Sequence, residues 1–260
     1  MRREGAGTDA VGMTNPTRRW YHRSVPSDTT DFRFPGPWLS GLSLAVAPIL
    51  LLAGTLLRLG TPFFFPHQLA GYDRHPALMS AAYATFLAGV ITLWPAVLAV
   101  AARVGATRPR WAAGGAALVL LGLFARSFHY GVDTFAFSLV DSAGVGAATS
   151  AVAQYYTHPE YVVASLDAGI MAGWVVLAAG CYLSRTMGAV RSVALALMAG
   201  LMIGVLKGST VASVVEVAGL AVAFVPLGVR TLATAPRPRL VVAVAVVPLA
   251  VFAVVFGQLG

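Results

Sequence analysis

Seven stretches of predominantly apolar residues constrain this chain more than any other feature. Each is close to the ~20 residues that cross a hydrocarbon core as a helix. They fall near residues 38–58, 78–102, 111–133, 161–183, 190–206, 211–228 and 240–256. Their apolar positions run continuously and do not alternate, so they read as helices and not as strands of a membrane barrel. Charged residues make up 11% of the chain, against about 25% in soluble domains. The expected fold is all-α: a polytopic membrane helix bundle of seven transmembrane helices over residues 38–258. A polar, Arg-rich tail precedes it at residues 1–37, and its first dozen residues carry no pattern that would order them.

The basic residues set the expected orientation. Six arginines lie in the tail, and Arg103, Arg108, Arg110, Arg185, Arg191, Arg230, Arg237 and Arg239 lie in alternate connections. These fourteen of the 18 basic residues share one side, which is expected to be cytoplasmic. The N-terminus is then inside, the C-terminus outside, and the chain is a multi-pass protein of the cell's inner (plasma) membrane. The net charge of +8 is accordingly a topology signal, and no nucleic-acid partner is implied. The one cysteine, Cys181, permits no internal disulfide and no thiolate metal site.

Apart from Glu4, Asp9, Asp28 and Asp31 in the tail, the remaining charges gather towards the opposite side. Arg58, Arg74, Arg126 and Lys207 lie there, with Asp73, Asp133, Asp141, Glu160, Asp167 and Glu216. The stretch from Arg126 to Asp133 organises this half. Arg126, His129, Tyr130 and Asp133 stand at i, i+3, i+4 and i+7, on one helical face. Gly115, Val119 and Gly122 extend that face inward without charge. Asp167 lies seven residues past Glu160, with Met171 and Trp174 following on its face. Glu216 lies about two turns into the sixth run, with Ser213 beside it. A charge at the bilayer centre costs about 2.5–3.5 kcal/mol on insertion scales. Three such groups facing lipid would be prohibitive, so they are expected to converge in one pocket in the outer half. Either they form a structural ion-pair lock between helices, or they are a functional site. In the second case Asp167, Glu216 and Asp133 are the acid–base candidates. Arg126, His129, Tyr130, Trp174, Tyr83, Arg58 and Phe64 are the candidates for contact with a substrate.

The connections carry further expectations. In residues 59–77 two prolines bracket Phe63, Phe64 and Phe65, which argues against a regular helix; the segment reads as an interfacial anchor or as an apolar lid. Residues 134–157 read as a loop with a short surface helix. Thr157 and Glu160 form a capping-box pattern, and Ser209 or Thr210 is placed to cap the sixth run. Trp94-Pro95 is expected to kink the second. Gly200, Gly204 and Gly208 form a stripe of small residues on the fifth.

Some chemistry lacks its motif. The sequence has no HExxH, no cysteine pair, no Walker loop and no Asp-rich DDxxD or NDxxD. No metal site and no cofactor are expected. His129 is the one histidine placed clearly inside a run, whereas a haem bundle wants two facing axial histidines.

Seven short spans, intramembrane carboxylates, aromatic walls and no metal motif resemble the small integral-membrane terpene cyclases of fungal meroterpenoid and bacterial indole-sesquiterpene (drimentine-type) pathways. The resemblance is architectural and transfers no residue by position. It implies an isomerase-type enzyme that protonates an alkene or epoxide on a prenylated substrate, closes rings and releases a proton. Asp167 or Glu216 would supply the proton, and Trp174, Tyr130 and Tyr83 would face the cation. The expected partners are a lipophilic prenylated molecule and the bilayer, with the seventh run facing lipid or a second copy of the chain. Two other readings stand beside this one: a transporter, self-resistance or lipid-binding protein, and a haem or quinone redox protein.

Overall fold

The computed structural model describes residues 34–158, 161–202 and 210–237, and every described element is helical. They are α1 (Pro37–Leu57), α2 (Phe65–Arg74), α3 (Pro76–Gly105), α4 (Pro109–Tyr155), α5 (Tyr161–Leu183), α6 (Ala189–Ala196) and α7 (Val211–Ala233). A 3-10 segment, Leu197–Met202, continues α6. Helices α1, α3, α4, α5 and α7 are long and apolar enough to cross a membrane. The first four of these and the sixth apolar run thus become long helices. The fifth run becomes the short α6 and its 3-10 continuation, which is a correction. The seventh run, residues 240–256, lies outside the described residues. So do the tail to residue 33, Glu160, Gly204, Lys207, Gly208, Ser209 and Arg239.

Two connections differ from the sequence reading. Residues 65–74 form α2, although prolines flank the phenylalanines. Pro66 stands in the first turn of α2 and Pro76 in the first turn of α3. A proline there forfeits no helical hydrogen bond, and its fixed φ favours a helix start. Residues 134–155 are also no loop, because α4 runs on from Pro109 to Tyr155. Asp133, Ala136, Phe137 and Val140 keep one buried face at helical spacing. The alanines that looked loop-like are strong helix formers. The break comes at Gly144, with φ 83° and ψ 164°, a region open to glycine. Helix α3 continues through Pro95.

Close backbone approaches hold the long helices. A methyl added at Gly54 would lie 2.8 Å from the Ala82 carbonyl of α3, and one at Gly89 2.9 Å from the Leu51 nitrogen of α1. Gly115 and Gly173 do the same for α4 against α5, and Gly228 for α7 against α1. Lipid tails are as apolar as the helices, so tight van der Waals contact has to supply what the hydrophobic effect supplies in water. Helix α4 packs on α2, α3 and α5, while α7 packs on α1, α6 and the 3-10 segment. Thr210 caps α7: its Oγ1 accepts from Ser213 N at 3.3 Å, and Ser213 Oγ accepts from Thr210 N at 3.2 Å.

Among the described residues, one end of the bundle carries charges of both signs and the other carries basic side chains only. Trp38 Nε1 donates to Pro236 O at 2.7 Å, tying the start of α1 to the end of α7 at the basic end. Arg103 Nη2 donates to Thr231 Oγ1 at 2.7 Å in the same region.

Gly54→Leu is expected to destabilise the detergent-solubilised protein by about 1–3 kcal/mol or more, the usual range for overpacking. Gly114→Leu is expected to have little effect, since nothing lies within 4 Å of that position. Thermal unfolding of the two variants side by side checks both.

Candidate functional site

Four helices bring their polar groups together at the mixed-charge end. Helix α1 contributes Arg58, its C-terminal cap, which is 2% exposed. Its Nε donates to Gly54 O at 3.3 Å. Its guanidinium carbon sits 4.5 Å from the Tyr83 ring centroid and 4.8 Å from that of Phe86, both on α3. Two ring faces thus replace part of the water that a buried cation has lost.

Helix α4 supplies Arg126, His129, Tyr130 and Asp133, the face that their spacing predicts. Arg126 lies within electrostatic reach of Asp133, Asp167, Tyr83 and Tyr156. His129 Nδ1 pairs with Ala125 O at 2.9 Å. Its Nε2 stands 3.9 Å from Asp167 Oδ2 on α5. About one turn inward Gly122 faces Ile170 of α5 closely, and about three turns inward a methyl on Gly115 would strike the α5 backbone at Leu177. The small residues below the charges are what let α5 come near enough to meet Arg126.

A void of about 20 Å³ lies between Arg58, Tyr83, Phe86, Arg126, Tyr130 and Asp133. A second of about 10 Å³ lies deeper, between Phe86, Arg126, Ile170, Trp174 and Met198. The first is roughly the size that holds one ordered water. Three buried polar atoms near Arg126 have no hydrogen-bond partner: Arg58 Nη2, Asp167 Oδ1 and Trp174 Nε1. Such groups are costly to leave unmatched, and in a native fold they call for a ligand, a water or a catalytic role.

Helix α2 covers this cluster. Tyr83 OH donates to Gln68 Oε1 at 3.0 Å, and Gln68 Nε2 donates to Pro62 O at 2.7 Å. Tyr72 OH donates to Asp141 Oδ2 at 2.8 Å, and its ring stacks on Phe137 with centroids 4.3 Å apart. Sequence reasoning passed over Gln68, Tyr72 and Asp141. The available signal was the spacing of Gln68, Leu69 and Tyr72, which becomes a helical face once Pro66 is taken as a helix start.

Two candidates lie elsewhere. Glu216 is on α7, where a methyl on Gly200 of the 3-10 segment would strike its carboxyl. Among the described residues α7 makes no close contact with α4 or α5, so the expected convergence of Glu216 with Asp167 does not occur. The sixth run packs on the first and fifth, which its sequence does not reveal. Phe64 is 63% exposed and stacks on Phe63 at 4.3 Å; it stands clear of the cluster. Among the described residues no group of three His, Cys, Asp or Glu side chains is arranged to hold a metal ion.

Comparison with known proteins found no matching family model, no curated relative and no similar solved structure.

The Tyr72–Asp141 bond yields a pH prediction. Donation to the Asp141 carboxylate, and then burial, raise the Tyr72 phenol above the ordinary tyrosine value. Folding therefore favours the protonated phenol. This contribution is complete below about pH 10 and is lost as pH rises through the raised value. Tyr72→Phe is expected to lower the melting temperature at pH 8, and the gap to the parent protein should narrow above pH 10. Melting curves from pH 8 to 11 measure the gap.

Proposed function

We propose that the chain is a membrane enzyme acting on a prenylated, lipid-like substrate, with Asp167 as the proton donor of a metal-independent cyclisation. The observation that carries this reading is the trio of partnerless buried atoms around Arg126. Asp167 Oδ1 is free to hold and present a proton, while Oδ2 faces His129. Arg58 Nη2 and Trp174 Nε1 are donors free to receive a polar group on the substrate.

The chemistry balances without a cofactor. The Asp167 carboxyl gives its proton to a terminal alkene carbon or an epoxide oxygen, and a tertiary carbocation forms. The π pair of the next alkene attacks it, making a carbon–carbon bond and moving the charge along the chain. Loss of a proton to the Asp133 carboxylate ends the sequence with an alkene. The product from an alkene substrate is then an isomer of the substrate. The rings of Tyr83, Tyr130 and Trp174 present π faces to the migrating charge. His129, whose Nε2 stands 3.9 Å from Asp167 Oδ2, would carry the proton taken up by Asp133 back to Asp167, which resets both carboxyls.

The voids set a condition on this reading. Drug-sized ligands occupy pockets of roughly 300 Å³ or more, far above the space open at rest. Substrate entry therefore requires α2 to lift and Arg58 to leave the faces of Tyr83 and Phe86. The proposed setting is a multi-pass position in the cell membrane, with the basic end cytoplasmic and the cluster towards the outer leaflet. A lipophilic substrate then enters from the bilayer.

The small void also favours a second reading, a transporter or resistance protein in which the same cluster relays protons. Co-expression with prenylated precursors separates the two. Cyclisation leaves the mass of the product unchanged and removes olefinic NMR signals. Asp167→Asn is expected to reduce turnover by about 10²-fold or more, the usual share of a general acid. Glu216→Gln should keep turnover within a few-fold of the parent. If Asp167→Asn stays fully active, the proton-donor assignment is wrong. If no precursor is converted and Asp167→Asn abolishes efflux or resistance in cells, the transporter reading replaces it.

A further inference from the structure

Glu216 takes no part in the charge cluster, yet it sits well inside an apolar helix. It stands six residues past the Thr210 cap, about 9 Å along α7. Its side chain is half-buried and meets the 3-10 segment that continues α6. The carboxyl lies on Gly200, where any side chain would strike it. Its Oε2 is buried and has no hydrogen-bond partner. Ser213, one turn earlier, is engaged with Thr210 through both its N–H and its hydroxyl.

Among the described residues, no counter-charge faces this carboxyl from the elements packed against α7. The 3-10 segment, Leu197–Met202, has no titratable side chain. Helix α6 offers Arg191 alone, which donates to Ala223 O, seven residues further along α7. Arg58, at the end of α1, lies on the rings of Tyr83 and Phe86. Arg230, the other charged residue of α7, is fourteen residues on. An ionised carboxylate with no partner is costly away from water, and a group so placed is held neutral by a proton.

The backbone opposite supplies an independent sign. Helix α6 leaves α-helical geometry at Leu197 and continues as six residues of 3-10 helix. Runs of 3-10 longer than three or four residues are uncommon, and inside a helix they often mark a functional hinge. This one begins a single turn before the glycine that the carboxyl touches. Interrupted membrane helices offer backbone carbonyls to protons and ions at the sites of many transport proteins.

We propose that Glu216 and the 3-10 segment form a proton-binding site within the membrane. The site is separate from the charge cluster and does not depend on the reading given to that cluster.

The test labels the full-length protein in phosphatidylcholine vesicles with dicyclohexylcarbodiimide and locates the adducts by peptide mass spectrometry. This lipophilic reagent needs a protonated carboxyl. The acid proton moves to one carbodiimide nitrogen, the carboxyl oxygen bonds the central carbon, and acyl transfer to the other nitrogen leaves a stable acylurea. Glu216 should be labelled at pH 7 about tenfold faster than the exposed Asp73, and the rate should fall as the pH is raised to 9. Glu216→Gln should remove that adduct. It exchanges one neutral group for another, so the melting temperature at pH 7 should stay close to the parent value. Labelling of Glu216 no faster than that of Asp73 would overturn the proposal. Lys207, outside the described residues, is the one basic residue between Arg191 and Glu216. A Glu216 adduct that forms in Lys207→Gln and not in the parent, with a lowered melting temperature for Glu216→Gln, would show an ion pair in place of a proton. Protection of Glu216 by sodium chloride relative to choline chloride at one pH would show a metal cation there. Either result would also overturn the proposal.

Discussion

Charge that has left water has to find charge, and this requirement shapes the mixed-charge end of the bundle. Arg126 on α4 reaches Asp133 on its own helix and Asp167 on α5. Arg58 arrives from α1 and lies on the rings of Tyr83 and Phe86. A single charge at the bilayer centre costs about 2.5–3.5 kcal/mol on insertion scales, so these groups are affordable only together. The meeting depends on the glycines about one to three turns below. Gly115, Gly122 and Gly173 bring α4 and α5 into backbone contact, and the charged side chains then lie within reach. Packing in the apolar half and electrostatics in the polar half are two parts of one constraint.

The same arrangement ties the resting state to what the site can do. Arg58 occupies the Tyr83 face, one of the aromatic faces that would shelter a developing carbocation in the proposed reaction. A fixed cation and a carbocation cannot share that face, so a cyclising enzyme needs Arg58 to withdraw as substrate arrives. Helix α2 is the element placed to couple the two events. Gln68 joins it to Tyr83, whose ring carries Arg58, and Tyr72 fastens it to Asp141 on α4. Displacing α2 breaks the hydrogen bond that positions Tyr83. In the proposed enzyme, lid opening and release of Arg58 would be linked through one phenol.

Much of this was legible in the sequence because it follows from helical spacing. The Arg126–Asp133 face, the α4–α5 glycines and the cap at Thr210 all depend on neighbours within a few residues, and each stands where its spacing puts it. Arg58 and Tyr83 joined the same cluster because long apolar runs leave charged and phenolic groups few places to go. What was not legible depends on which helix lies beside which. Glu216 has the depth of Asp167 but belongs to a helix that packs on α1 and α6, and no periodicity in α7 encodes that choice. The prolines near Phe63–Phe65 misled for another reason. Proline breaks a helix interior and favours a helix start, and position within the turn decides which rule applies. The alanine-rich stretch after Asp133 has high helix propensity and only a faint apolar stripe, so a search for strong periods passed over the second half of α4.

The convergence of Arg126 with Asp167 is the claim on which the site rests, and a double-mutant cycle tests it most directly. Unfolding free energies would be measured for the parent protein, Arg126→Gln, Asp167→Asn and the double variant in one detergent. Direct interaction predicts a coupling energy of about 0.5–3 kcal/mol, with the double variant less destabilised than the two single changes imply. Losses that add to within about 0.3–0.5 kcal/mol would mean that the two side chains do not meet, and the cluster as described would not exist.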